Sequence, residues 1–250
     1  METINMETLK QSFQREGYIF IPGFLSKEEV DEVNDKMEQF IKDKVPGMAT
    51  GHAMYEDKSN TATLKQMQDL NLYDPYFEAM LSNSRFKEMA EILLEEKVIG
   101  KTLEYFNKPP RIGAPTPPHQ DGHYFKIKPA NAVTMWMALE NVDGENGCLH
   151  YVKGSHLKGL RPHGRTKTIG FSQGITDYGK EEDIETAIPA KPGDLLIHLA
   201  LTIHRADGNT SNTRTRKAIG LIYYGESAQE DIEAKTAYQK ILAAENYAKA

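Results

Sequence analysis

The segment Pro118-His119-Gln120-Asp121-Gly122-His123-Tyr124-Phe125 sets an imidazole and a carboxylate two residues apart at the head of a stretch that reads as a β-strand. Side chains of a strand alternate between its faces, so His119 and Asp121 are expected on one side, where they can close on a single cation. A third ligand has to come from elsewhere. His204 is the candidate, at the end of the apolar run Leu195-Leu196-Ile197-His198-Leu199-Ala200-Leu201-Thr202-Ile203. Two histidines and one carboxylate leave the opposite face of a metal open, as in non-haem Fe(II) oxygenases. A lone His-x-Asp is also a common surface pair, so the rest of the chain has to decide.

On both sides of this segment the pattern is of strands. Val98 to Phe106, His119 to Lys126, Ala132 to Leu139, Cys148 to Val152, Asp194 to His204 and Lys217 to Tyr224 are β-like, with Gly, Pro, Asn or Asp turns between most of them. The part before Val98 is mostly helical. Met6, Leu9 and Phe13 have helical spacing up to Gly17, and a short strand follows at Tyr18 to Ile21. Ser26 and Glu29 form a capping box ahead of the stripe Val30, Val33, Met37, Phe40 and Ile41, which Pro46-Gly47 ends. Residues 48 to 62 read as a loop. Asp74-Pro75 starts a helix to about Met80, and Asn83-Ser84 restarts it with Phe86, Met89, Ile92 and Leu93 buried and Glu91, Glu95 and Glu96 solvated. Ala228 to Ala250 reads as an amphipathic helix with Ile232, Tyr238, Ile241 and Leu242 on one side, packed on the sheet or on a second copy. The fold class is α+β with a mainly β core, an antiparallel jelly-roll sandwich with helices on one side, in a single domain over residues 1–250.

Composition excludes several functions. The 250 residues carry a net charge of −6 with no long run of Lys or Arg, which argues against a nucleic-acid partner or a membrane surface. Cys148 is the single cysteine, so no internal disulfide can form. The polar, acidic N-terminus does not read as a leader, and no apolar run has the length of a membrane span. A cytoplasmic protein acting on a small molecule is expected; the oligomeric state is not legible.

Two further residues carry chemistry. In Arg214-Thr215-Arg216-Lys217-Ala218-Ile219-Gly220, Arg216 shares a strand face with Ala218 and Gly220, whose small side chains leave room for a ligand. The planar guanidinium binds a carboxylate with two parallel bonds. Trp136, the only tryptophan, falls with Ala132, Thr134 and Ala138 on the less apolar face of its strand, opposite Val133, Met135, Met137 and Leu139, and is placed to line a cavity.

Together these residues resemble the phytanoyl-CoA dioxygenase family of Fe(II)- and 2-oxoglutarate-dependent oxygenases, from about Glu16 to Tyr224. The resemblance rests on Asn107-Lys108-Pro109-Pro110, His119-Gln120-Asp121 with His123-Tyr124-Phe125, Trp136 with Ala138-Leu139, Glu145-Asn146-Gly147-Cys148-Leu149, Gly154-Ser155-His156, Pro192-Gly193-Asp194, His204, and Arg216-Lys217-Ala218. It implies a double-stranded β-helix of the cupin-like kind, with His119, Asp121 and His204 on Fe(II), Arg216 on the distal carboxylate of 2-oxoglutarate, Trp136 lining that pocket and O2 as second cosubstrate. It implies hydroxylation of a C–H bond, or desaturation or ring closure at the same iron, with release of succinate and CO2. Because Asp121 is present, the chain differs from related halogenases, which have a small residue there.

The chain departs from the family at three places. Ala206 stands where a serine is frequent two residues after the distal histidine, and Lys153 stands where proline is usual before Gly154. The arginine falls one residue late, which keeps Arg214 as an alternative. His123, Tyr124 and the segment from Arg161 to Ala187 are the expected substrate contacts and lid. A zinc-dependent hydrolase and a non-catalytic ligand-binding sandwich remain alternatives, and the prime substrate is not identified by the sequence.

Overall fold

The structure is a computed structural model that describes residues 6–247, without the side chains of Gln239 and residues 241–247. Its frame is a seven-stranded antiparallel sheet in which Tyr18–Ile21, Leu195–Leu199, Ala132–Ala138, Ala218–Gly225, Val98–Phe106, Leu64–Met67 and Ala53–Tyr55 lie side by side. A four-stranded sheet faces it, in the order Glu185–Ile188, Leu149–Val152, His204–Ala206, Thr116–His119. This is the expected jelly roll.

Strand parity decides which face of the large sheet meets which layer. Val133, Met135 and Met137 point outward and join Leu195, Ile197, Ile219 and Leu221 in the main core, against Val30, Val33, Met37 and Phe40 of the helix Lys27–Asp43 and Phe77 and Phe86 of the next two helices. Ser26 caps that helix with the expected reciprocal box to Glu29. Thr134 and Trp136, of opposite parity, line the cavity between the sheets.

Several expectations are corrected. The segment from His119 to Lys126 is not a strand: Thr116–His119 is extended, Asp121 turns into helical geometry (φ −58°, ψ −33°), and Gly122–Phe125 makes one helical turn. Gln120 leaves the ladder because its side-chain amide donates to Gly159 O (2.9 Å) and Leu201 O (2.7 Å). The run from Asp194 to His204 is two strands in opposite sheets, joined by a turn in which Thr202 N donates to Leu199 O (2.8 Å). Both strands are buried, so an unbroken apolar run conceals the turn.

Within 48 to 62, Ala53–Tyr55 pairs with Leu64–Met67 and extends the large sheet. Ile92 is 41% exposed, since it lies roughly 100° around the helix from Leu93, and Ala90 takes its buried place. The segment from Arg161 to Ala187 holds a hairpin, His163–Thr168 with Phe171–Ile175, instead of a loose lid. The last helix is Ile232–Tyr247, with Ile232 exposed. Tyr238 bonds Ser172 of that hairpin (3.0 Å) and lies beside the rings of His123 and Tyr124 and the amine of Lys126; the side chains of Ile241 and Leu242 and residues 248–250 lie outside the described residues. No helix among the described residues is long and apolar enough to cross a membrane.

Leu221 is fully buried in the outward core. Leu221→Ala is expected to cost about 2–5 kcal/mol in urea unfolding followed by circular dichroism, because a cavity is left that the sheet cannot close. A cost below about 1 kcal/mol would mean that this layer does not carry the fold.

Candidate active site

The two histidines of the candidate triad meet because their strands are neighbours: His204 stands directly opposite His119 in the small sheet, with ring centroids 4.2 Å apart. Nδ1 of His119 lies 2.8 Å from Pro117 O and Nδ1 of His204 lies 3.0 Å from Thr202 O. A carbonyl can only accept, so in both rings Nδ1 carries a proton and Nε2 is the atom left to face Asp121. Asp121 arrives from the turn, tied there by the bond from Gly122 N to Ala200 O (2.8 Å). A side chain at Gly122 would press against Leu201, which suits glycine to this close approach.

Asp121 divides its two oxygens between the two sheets. Oδ1 lies 3.5 Å from His119 Nε2 and 3.7 Å from His204 Nε2. Oδ2 takes the hydroxyl proton of Thr134 (2.6 Å) and lies 3.1 Å from Nε2 of His198, both from the large sheet. The ligand atoms of His119, Asp121 and His204 all lie within 4.8 Å of one another, and among the described residues this is the group of three or more such side chains able to hold a metal. Burial would raise the Asp121 carboxyl, but His204, His119 and His198 pull it well below the usual carboxylate range. Burial, with His198 and His119 beside it, holds His204 far below its ordinary value. A carboxylate and neutral imidazoles are the forms that bind metal. The donor set therefore fits a divalent transition metal, with one carboxylate oxygen and two Nε2 atoms aimed at a common point.

Sequence reading missed His198. It is 1% exposed, pairs with Thr134 across the large sheet, and receives the Tyr151 hydroxyl proton at Nδ1 (3.0 Å) while Nε2–H points at Asp121. Tyr18 stacks on Tyr151 at 4.5 Å and continues the support outward. A histidine of cavity-side parity inside an otherwise apolar strand was the available signal.

The cavity above the triad has a volume of about 190 Å³. Arg216 reaches it, 4% exposed, its guanidinium 5.4 Å from the centre of the Trp136 ring and its Nε without a partner. Burial lowers Arg216 to about 10, which leaves it charged near neutrality. Lys108 pairs with it through both backbone bonds (3.2 Å each), and burial together with Arg216 and Lys65 pushes the Lys108 amine well down. A buried guanidinium with an unpaired donor calls for an anion. Arg214, the alternative, points elsewhere and holds Asp143 in a two-pronged pair (2.9 Å each). The space beside Gly220 is not open for a ligand: the Phe106 ring fills it, 2.7 Å from where a Cβ would stand.

Tyr124 lines the cavity and bonds the lid hairpin at Gln173 O (2.5 Å). His123 does not line it; its ring stacks at 4.2 Å on His163 of the hairpin, and burial and His163 hold it down to about 4. The hairpin contributes Gly170 and Phe171 to the cavity wall. Glu104, Gln66, Lys65 and Lys108 also line it, and none was singled out for a role in the sequence.

Residues 13–218 match the family model of phytanoyl-CoA dioxygenase. The chain is similar to phytanoyl-CoA dioxygenase domain-containing protein 1 of Danio rerio, 29% identical over 81% of this chain and 84% of the relative. It is also similar to the peroxisomal phytanoyl-CoA dioxygenase of Mus musculus, 27% identical over 96% of this chain and 75% of the relative. In fold it matches the crystal structure of EctD from S. alaskensis with 2-oxoglutarate and 5-hydroxyectoine, with a TM-score of 0.71, 20% identity, and coverage of 88% of this chain and 76% of that one. With a matching family model over most of its length and the triad at the mouth of a jelly-roll cavity, this chain belongs to the phytanoyl-CoA dioxygenase family.

Proposed function

We propose that His119, Asp121 and His204 hold Fe(II), that Arg216 with Lys108 beside it receives the distal carboxylate of 2-oxoglutarate, and that Trp136 walls that end of the cavity. The chain is an Fe(II)- and 2-oxoglutarate-dependent dioxygenase, and its reaction is oxidation of an unactivated C–H bond of a small organic metabolite, hydroxylation in the first place. The observation that carries the residue assignment is the division of Asp121, one oxygen held by Thr134 and His198 and the other left for the point shared by two Nε2 atoms. When bound, iron with 2-oxoglutarate and dioxygen supplies oxidative decarboxylation to succinate and CO2 coupled to C–H oxidation.

The protein's own residues bind, orient and shield. Pro117 O and Thr202 O fix the tautomers of His119 and His204, and His198 and Thr134 hold the carboxylate against rotation. Arg216 is charged, and the Trp136 ring beside its guanidinium narrows its freedom before a carboxylate arrives. Tyr124, Phe125 and Phe171 cover the cavity and keep water from the reacting centre. A hydrolase would have no use for a buried guanidinium with an unpaired Nε, and neither alternative is favoured by the family match. The volume of about 190 Å³ is below the roughly 300–1,000 Å³ usual for drug-sized ligands and supports a small substrate. One relative is named for phytanoyl-CoA and one structural neighbour holds 5-hydroxyectoine. A cytoplasmic location belongs to the same proposal, supported by the lone buried thiol of Cys148.

Anaerobic addition of Fe(II) and then 2-oxoglutarate is expected to produce the weak visible charge-transfer band of the chelate, only when both are present. Arg216→Ala is expected to weaken 2-oxoglutarate binding about 10- to 100-fold in that titration, while Arg214→Ala leaves it unchanged. Iron binding without a band would sink the dioxygenase assignment of these residues. His198→Ala should lower Fe(II) affinity about 10- to 100-fold by calorimetry, since it removes the partner that orients a metal-binding carboxylate. Unchanged affinity would mean that Thr134 alone suffices.

A further inference from the structure

Beside the triad, the cavity is lined by Arg216, Lys108 and Lys65 and by one further carboxyl group, Glu104. Lys65 Nζ lies 3.0 Å from Glu56, and burial with Arg216 and Lys65 pushes the Lys108 amine well down. Glu104 stands on Val98–Phe106, on the cavity-facing parity shared with Phe106, and its hydrogen-bond partner is the side-chain amide of Gln66, which donates to Oε2 at 3.1 Å. The other carboxyl oxygen receives no protein hydrogen bond among the described residues. The charged groups that act most on Glu104 are Asp121 and Asp69, both carboxylates. A partly exposed carboxyl group in a half-open cavity, with one oxygen steadied, the other without a protein donor and no ion pair to a basic side chain among the described residues, is an unfinished interaction.

We propose that Glu104, held by Gln66, is the specificity-determining residue of this cavity and that it selects a small organic substrate carrying a protonated amine. The inference rests on the dioxygenase reading above and names the class of its substrate. An ammonium group supplies what the wall lacks, a hydrogen-bond donor for the free oxygen and a positive charge. Burial pushes Glu104 up to about 8, so holding its charge is costly in the free protein and becomes favourable when a ligand brings the opposite charge. Arg216, with its unpaired Nε, is already suited to the dianionic cosubstrate, so the two ligands are sorted by charge.

The lid supports the same placement. Gly170, at the tip of the hairpin with φ +81°, sits so close over Gln66 that a Cβ would stand 2.2 Å from its Oε1. The side-chain amide of Gln66 is on Glu104, and its Oε1, without a hydrogen-bond partner, lies under the hairpin tip. The residue that steadies the recognition group is also the one against which the hairpin packs.

The test is an anaerobic titration of the Fe(II)- and 2-oxoglutarate-loaded protein with short-chain primary amines and amino acids, each paired with the alcohol or N-acetyl compound that lacks the charge. Perturbation of the chelate band reports binding, and succinate release in air reports coupling. The charged member of each productive pair is expected to bind at least about tenfold more tightly than its uncharged counterpart, and Glu104→Gln is expected to remove that difference. Thermal unfolding of the variant shows that it is folded. Gln66→Leu, which keeps the carboxyl but frees it, serves as the second variant and is expected to diminish the preference. A chelate band in wild type with equal binding of charged and uncharged members overturns the amine assignment and leaves the dioxygenase intact, as does a preference that survives Glu104→Gln. Absence of the band in iron-loaded wild type overturns the dioxygenase reading itself.

Discussion

The carboxylate of Asp121 is the point at which the two sheets are joined into one site. One oxygen is committed to donors of the large sheet, Thr134 and His198, and the other faces the two Nε2 atoms of the small sheet. Neither sheet alone makes a metal centre. The small sheet supplies two imidazoles with their Nδ1 protons turned away to backbone carbonyls, and the large sheet supplies the groups that stop the carboxylate from turning. A buried carboxylate is costly to maintain without a cation, and a metal held by Asp121, His119 and His204 would relieve that cost.

The remainder of the cavity follows from the same need to pair buried charge. Arg216 and Lys108 are brought together by the strand ladder, since their backbones bond each other in register. Arg216 keeps a buried Nε without a partner, which an anion would supply. The carboxyl of Glu104 lines the same cavity and is bonded by Gln66 of Leu64–Met67. Aromatic rings, Phe106, Phe125, Phe171 and Trp136, fill the space between these polar positions and lower the local dielectric, which makes each charge more selective for its partner.

Much of the site was legible in the residues. The ligand types, the buried arginine and the cavity-facing tryptophan follow from side-chain chemistry and strand parity, and Trp136 and Thr134 do fall on the inner face. The route to the triad was not. His119 and Asp121 meet across a turn, with Asp121 in helical geometry, so the two-residue spacing works without the strand alternation that suggested it. His198 was hidden inside a run of buried residues, where unbroken hydrophobicity carries no period. Glu104 and Gln66 looked like ordinary polar positions because Leu64–Met67, the strand that closes that end, gave no signal before it was seen paired.

By itself the sequence determined the chemistry available and the order of the layers: helices first, then strands, with capping boxes, turns and alternating faces that are local properties of a few neighbouring residues. Only the tertiary structure decided which groups share a cavity. His204 and His119 are opposite each other because distant strands pair, Arg216 instead of Arg214 enters the site because of where the ladder ends, and Tyr124 rather than His123 faces the cavity because the hairpin takes the histidine as a stacking partner. Local preferences act over a few residues of chain, whereas a binding site is made by side chains that meet only when burial of the core brings remote segments together.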